Sequence, residues 1–199
     1  MQEGMVKRAS ELLADGTVVR VLGWKNGEFV YDPTPAVFES VEALSDFVYN
    51  DFCASNLSKY LVALSKKEGK TLVFLKPCDS YSFNQLLTEH RVDREKVYII
   101  GISCDGKVDE SKLRAQGAEG VTGIATDGDT ITVSTLYGDV QLKKADVIAE
   151  RCVTCKSKKV VAYDEMMGEN GEENPDCGRF DQVAALEAMT PDERFAFWR

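Results

Sequence analysis

Thr71-Leu72-Val73-Phe74-Leu75-Lys76-Pro77-Cys78 and Val97-Tyr98-Ile99-Ile100-Gly101-Ile102-Ser103-Cys104 decide the fold. Each opens on a short apolar run that reads as a buried strand and closes on a cysteine. Between them, Phe83, Leu86 and Leu87 recur at helical spacing within residues 80–90. Strand, helix and strand at this length make a βαβ unit, with a right-handed crossover and parallel strands. Cys78 and Cys104 then lie at the carboxyl edge of one sheet, where α/β folds usually collect ligands.

A third segment, Arg151-Cys152-Val153-Thr154-Cys155, holds two cysteines whose spacing lets both sulfurs bite one metal centre. Three segments therefore offer four thiolates, and they read as an iron–sulfur site. Zinc is the rival, because a four-cysteine zinc site and a four-iron cluster draw on the same ligand type. Zinc sites usually take two close pairs, and only one close pair exists here. A redox dithiol fits less well, since Lys156-Ser157-Lys158-Lys159 is a poor first turn for a helix. Cys53 follows Phe52 just before a predicted helix and could face the same cavity, whereas Cys177 sits in a polar loop. A lone cysteine is most often a small hydrophobe. His90, the one histidine, reads as a surface residue at a helix end.

The 199 residues suffice for one domain with a real core, and 44% hydrophobic with 29% charged content is ordinary for a soluble protein. A net charge of −9 argues against nucleic acid as a partner. No apolar run approaches the roughly 20 residues of a membrane span. The start, Met1 to Arg8, lacks a hydrophobic signal core, which predicts a cytoplasmic chain. Six cysteines there favour metal or redox work over disulfides. Phosphate-cradling glycine signatures are absent.

Outward from the βαβ unit, the N-terminal part (1–36) predicts a helix over 6–14 and a hairpin whose strands, 18–24 and 29–31, flank Lys25-Asn26-Gly27-Glu28. Helices are expected over 40–49 and 55–67. Short β-prone runs within 121–142, separated by Asp127-Gly128-Asp129 and Tyr137-Gly138-Asp139, predict an antiparallel meander. Residues 180–199 predict one or two helices, with Thr190-Pro191 a helix start. The aromatic end Phe195-Ala196-Phe197-Trp198 is expected to pack on a partner or a second copy. The expectation is a single α/β domain, 1–199, with a parallel βαβ core, a small antiparallel β appendage and C-terminal helices.

The ordered motifs Cys53-Ala54-Ser55-Asn56-Leu57, Lys59-Tyr60-Leu61, Cys78-Asp79-Ser80, Ile99 to Gly106 and Cys152-x-x-Cys155 carry a resemblance. They resemble the iron–sulfur flavoprotein family typified by the beta subunit of coenzyme F420-reducing hydrogenase. Within it, the four-iron ferredoxin-like branch of anaerobic bacteria and archaea is the most similar. Tyr163 to Gly168 and Met189 to Arg199 resemble that branch too, so the similarity covers nearly the whole chain. The resemblance implies an electron-transfer subunit, carrying a [4Fe-4S] cluster and frequently a flavin such as FAD. Its expected partners are redox subunits of hydrogenase, formate dehydrogenase or heterodisulfide reductase assemblies. By position it implies Cys78, Cys104, Cys152 and Cys155 as ligands, with Cys53 the alternative. The family's Cys-Asp-Ser-Arg is Cys78-Asp79-Ser80-Tyr81 here, which removes a potential donor to a cluster or flavin phosphate. The branch usually continues past Phe-Trp-Arg into a two-cluster ferredoxin module, so a partner is expected to supply that relay, or electrons leave directly. The competing expectation is a structural or adaptor subunit with a four-cysteine zinc site or no metal.

Overall fold

Met5, Ala9 and Leu12 share one face and are buried, and residues Gln2–Ala14 form helix α1 around them. A computed structural model of the chain describes residues 1–199. Strand β1 (Arg20–Lys25) follows and pairs antiparallel with β2 (Thr34–Phe38), with Trp24 opposite Pro35. The return strand thus starts later than the Asn26-Gly27 signal predicts. Residues 29–31 form a turn instead, with the Asp32 amide donating to the Phe29 carbonyl at 3.0 Å and the Phe29 and Tyr31 rings stacked 5.1 Å apart. Pro35 is tolerated because β2 is the sheet edge.

The two helices expected next are much shorter. Glu42–Asp46 is a single 3-10 turn, because Phe47 leaves it to bridge Lys25 and bury its ring against Phe38 and Phe74. Tertiary packing here overrides local helix preference. Asn56 accepts from the Ser58 amide at 2.9 Å, delaying the next 3-10 turn to Ser58–Tyr60, which runs into α2 (Leu61–Leu64).

The βαβ unit has the expected strands. β3 (Thr71–Leu75) and β4 (Val97–Ile102) are parallel, with Thr71 opposite Val97. The helix between them, α3 (Pro77–Thr88), starts earlier than the expected residue 80. Proline suits a first turn, where its missing N–H has no partner to lose, and Cys78 is thereby drawn into the helix.

Helix α4 (Glu110–Ala115) leads to an antiparallel sheet of β5 (Val121–Asp127), β6 (Thr130–Thr135) and β7 (Gly138–Lys143). Its own core of Phe52, Val108, Leu113, Ala118, Ile131, Val133 and Val147 is separate from the 24-residue cluster under the main sheet. One-turn helices α5 (Lys144–Val147) and α6 (Glu150–Val153) bring the chain back to β8 (Glu165–Met167), which pairs parallel with β4. The main sheet therefore runs β2-β1-β3-β4-β8. Two helices close the chain, α7 (Asp181–Ala188) and α8 (Pro191–Phe197), the latter with a capping box between Thr190 and Glu193. No helix is long and apolar enough to cross a membrane.

Two side chains tie the short strand β8 in place through Glu165. Arg8 donates to Glu165 Oε2 at 2.9 Å and Oε1 at 2.5 Å, and the Tyr98 hydroxyl donates to Oε1 at 2.5 Å. The Arg8 bond, foremost, holds the Glu165 carboxyl below its ordinary value of 4.5. A carboxyl whose folded pKa is depressed stabilises fully above its unfolded pKa and loses that contribution as pH falls through the folded value. Glu165→Gln should therefore destabilise the fold in urea titrations by about 1 kcal/mol at pH 7, a figure suited to a partly exposed pair. The difference from the unsubstituted protein should shrink steadily below pH 4.5; an equal difference at pH 7 and at strongly acid pH would refute the ion-pair account.

Candidate metal centre

Strand β3 ends at Leu75 and hands the chain through Lys76 and Pro77 to Cys78 in the first turn of α3. The neighbouring strand β4 ends at Ile102. The Ser103 amide then donates to the Met167 carbonyl at 3.3 Å, and Cys104 follows at the same sheet edge. Gly106, at a φ of 109° that side chains disfavour, turns the chain back on itself.

Val108 then forms an antiparallel bridge with Ile148. The Ala149 amide donates to the Lys107 carbonyl, and the Asp109 amide to the Val147 carbonyl, both at 2.9 Å. This clasp holds α6, and with it Cys152, against the Cys104 loop. A Cβ on Gly106 would stand 3.3 Å from two side-chain carbons of Ile148 and in ordinary contact, 3.4 Å, with Cys152 Cβ. A second tie secures the far side. The Val161 amide donates to Ser80 Oγ at 3.0 Å, and that hydroxyl donates to the Pro77 carbonyl at 2.7 Å. The stretch after Cys155 is thereby fastened to the helical turn that carries Cys78.

Cys78, Cys104, Cys152 and Cys155 all line one cavity of about 230 Å³, with Lys76, Lys107, Arg151 and Lys158 among its other walls. Cys78 opens to solvent at the mouth, yet enough protein surrounds its thiol that burial pushes it up to about 12. Asp79, Cys104 and Cys155 add to that rise, and Lys76 opposes it. Burial also raises the Cys155 thiol, with Cys152 and Cys104 contributing. The thiols feel one another across the cavity without meeting at a point: no three His, Cys, Asp or Glu side chains converge tightly enough for a single ion.

Cys53 is elsewhere. It is buried in the main core, accepts from the Asn50 amide at 3.4 Å and faces the Val48 carbonyl at 3.7 Å, while its neighbour Ala54 reaches the cavity wall. Cys177 does not line the cavity. His90 takes a φ of 54° just past the end of α3 and is not among the residues of the cavity wall.

Sequence reasoning missed the two lysines. Lys76 is 2% exposed and Lys107 4%. The available signal was position, since each lies within three residues of a strand-end cysteine. Lys76 Nζ sits 2.8 Å from Asp79 Oδ2 as an ion pair and donates to the Ser55 carbonyl at 3.0 Å. Burial raises the Asp79 carboxyl even against the pull of that lysine. A wider cleft of about 660 Å³ shares Cys104, Gly106 and Lys107 with the thiol cavity and extends past Tyr49, Asp51 and Lys144.

Fold and site together define an α/β protein that gathers four thiols from three segments at the carboxyl edge of a parallel sheet. No family model matches the chain. It is 32% identical over 97 residues to the F420-dependent formate dehydrogenase 1 subunit beta of Methanococcus maripaludis, a match covering 49% of this chain and 25% of that protein. It is 31% identical over 96 residues to the F420-dependent formate dehydrogenase subunit beta of Methanocaldococcus jannaschii, covering 48% and 24%. The matched part thus spans about a quarter of each curated relative. A chain of the F420-reducing [NiFe] hydrogenase complex of Methanosarcina barkeri shares the fold, with a TM-score of 0.67 at 15% identity over 93% of this chain and 72% of that one. Over about half of its length the chain is thus similar to F420-dependent formate dehydrogenase beta subunits, and its fold to a chain of the hydrogenase complex, the likeness its ordered motifs led us to expect.

Gly106 offers a test of the site's packing. Gly106→Ala forces a side chain into a positive φ and against Ile148. It should cost about 1–3 kcal/mol in denaturant unfolding and reduce metal retention. Unchanged stability would show that the turn relaxes without strain.

Proposed function

We propose that the chain is an electron-transfer subunit, a single iron–sulfur α/β domain whose Cys78, Cys104, Cys152 and Cys155 hold one [4Fe-4S] cluster. The observation that carries this reading is the shared cavity, in which four thiols from three segments line one wall set beside two buried lysines. A cluster bound there supplies one-electron transfer.

The chain's own groups suit that role. Four thiolates concentrate negative charge, and Lys107 places positive charge on the same wall, while Lys76 is held by Asp79. Pro77, Ala54 and Gly106 supply apolar or side-chain-free wall that limits water. Cys78 lies at the amino end of a twelve-residue helix, whose dipole offsets part of the cost that burial puts on its thiolate. A zinc ion, the alternative for a structural or adaptor subunit, needs its four sulfurs roughly 3.8 Å apart. The resemblance to an iron–sulfur family and the presence of a single close cysteine pair favour the cluster.

FAD has less support as a second cofactor. The lysines on the adjoining cleft already face carboxylates, Lys107 with Asp51 at 3.8 Å and Lys144 with Asp105 at 4.0 Å. The matched relatives are named as subunits, and the natural setting for this chain is a cytoplasmic complex with other redox subunits of hydrogenase, formate dehydrogenase or heterodisulfide reductase type. Phe195 at 62% and Trp198 at 74% exposure offer an aromatic surface for such a partner.

Anaerobic purification, iron and sulfide analysis and a visible spectrum test the reading. Serine at any of Cys78, Cys104, Cys152 or Cys155 should lower iron content and bleach the protein, whereas Cys177→Ser and Cys53→Ser should leave both unchanged. Iron loss in Cys53→Ser would show that a different set of four binds, and a colourless protein containing stoichiometric zinc would establish the structural alternative.

A further inference from the structure

Lys76 and Lys107 are both buried beside the thiols, but their charges are compensated differently. Lys76 faces Asp79 at 2.8 Å, and that carboxylate is as buried as the lysine, 2% against 2%. With the Ser55 carbonyl at 3.0 Å and the Trp24 ring at 4.5 Å, the pair is closed and neutral. Lys107 is paired more loosely. Its Nζ donates to the Asn50 carbonyl at 3.0 Å and stands 4.3 Å from the Tyr49 ring. Its nearest carboxylate, Asp51, is 3.8 Å away, partly in solvent and engaged by the Thr126 hydroxyl. A buried ammonium is costly without a buried counter-charge; burial lowers the pKa of Lys107, and Cys104, Asp51 and Cys53 oppose that fall. Lys107 also forms, with Cys104 and Gly106, the wall shared by the thiol cavity and the wide cleft.

We propose that Lys107 is a positioning residue for electron transfer, the fixed positive charge that sets the reduction potential of the centre held by the four thiols. This rests on the four-thiol reading given above. A one-electron donor gives up one electron, and the cavity gains one unit of negative charge with no bond made and no proton moved. A cation at the wall whose one carboxylate partner is distant and partly in solvent favours that gain. The neutral Lys76–Asp79 pair contributes little by comparison.

The test is a mediated anaerobic redox titration of the full chain, followed by visible absorption, with iron measured per chain. Lys107→Met should keep its iron and shift the reduction equilibrium at least about tenfold towards the oxidised form, about 59 mV more negative for one electron. Lys107→Arg should restore the midpoint, and Lys66→Met, on the surface, should not move it. If Lys107→Met does not fold, as judged by circular dichroism, Lys107→Gln takes its place under the same criteria. Iron loss in the uncharged variants that Arg reverses also supports a required fixed charge. A full complement of iron with an unmoved midpoint overturns the proposal, and so does a defect that Arg leaves uncorrected. An unsubstituted chain that takes up no iron brings down the four-thiol reading itself, an outcome distinct from an unmoved potential.

Discussion

A single antiparallel bridge, Val108 to Ile148, holds the site together. Two flanking hydrogen bonds at 2.9 Å make it a clasp rather than a chance contact. Parallel pairing of β3 and β4 can place Cys78 and Cys104 at one edge, but it has no influence on where Cys152 goes. The bridge fixes that position, because α6 begins directly after Ala149, whose amide is committed to the Lys107 carbonyl. Ser80 completes the arrangement from the opposite side, its one hydroxyl accepting from Val161 and donating to Pro77. Val108, Ala149, Lys107 and Ser80 are all buried, and a hydrogen bond left unmade there would be costly.

Charge is distributed just as unevenly. The chain as a whole is acidic, yet the walls of the thiol cavity are basic, with Lys76, Lys107, Arg151 and Lys158 all present. An acidic protein that places four of its 24 cations around one cavity has a local balance of charge opposite to its global one. That contrast distinguishes the site from an ordinary solvated surface, where charges of both signs are interspersed.

The legibility of this structure in its sequence depends on range. Thr71–Leu75 and Val97–Ile102 are readable to the residue, because continuous apolar runs bounded by polar residues leave one register open. The antiparallel meander is readable from its turns at Asp127-Gly128 and Tyr137-Gly138, and α8 from its Thr-Pro start. The hairpin misleads because Asn-Gly is a local signal, and the chain instead completes a longer turn through Phe29 to Asp32. Helices over 40–49 and 55–67 come out too long because Phe47 is worth more as a bridge partner in the core than as a helical residue, and because Asn56 holds the Ser58 amide. At the site, the grouping of Cys78 with Cys104 follows from topology. The approach of Cys152 does not, since one bridge between distant residues leaves no periodicity. The buried lysines are invisible for a related reason: Lys-Pro-Cys and Gly-Lys look like surface sequence until the fold closes over them.

The small sheet β5-β6-β7 leaves the main body after Val108 and returns before Ile148, the two halves of the clasp. It also carries its own apolar core. An excursion pinned shut at its base behaves as a replaceable cassette: its strands can lengthen, shorten or change their outer surface while the thiols stay where they are. Its strands β6 and β7 can vary in this way, whereas β5 is tied to the site, because Thr126 engages Asp51 and, with Ile124, lines the cleft shared with Cys104 and Lys107.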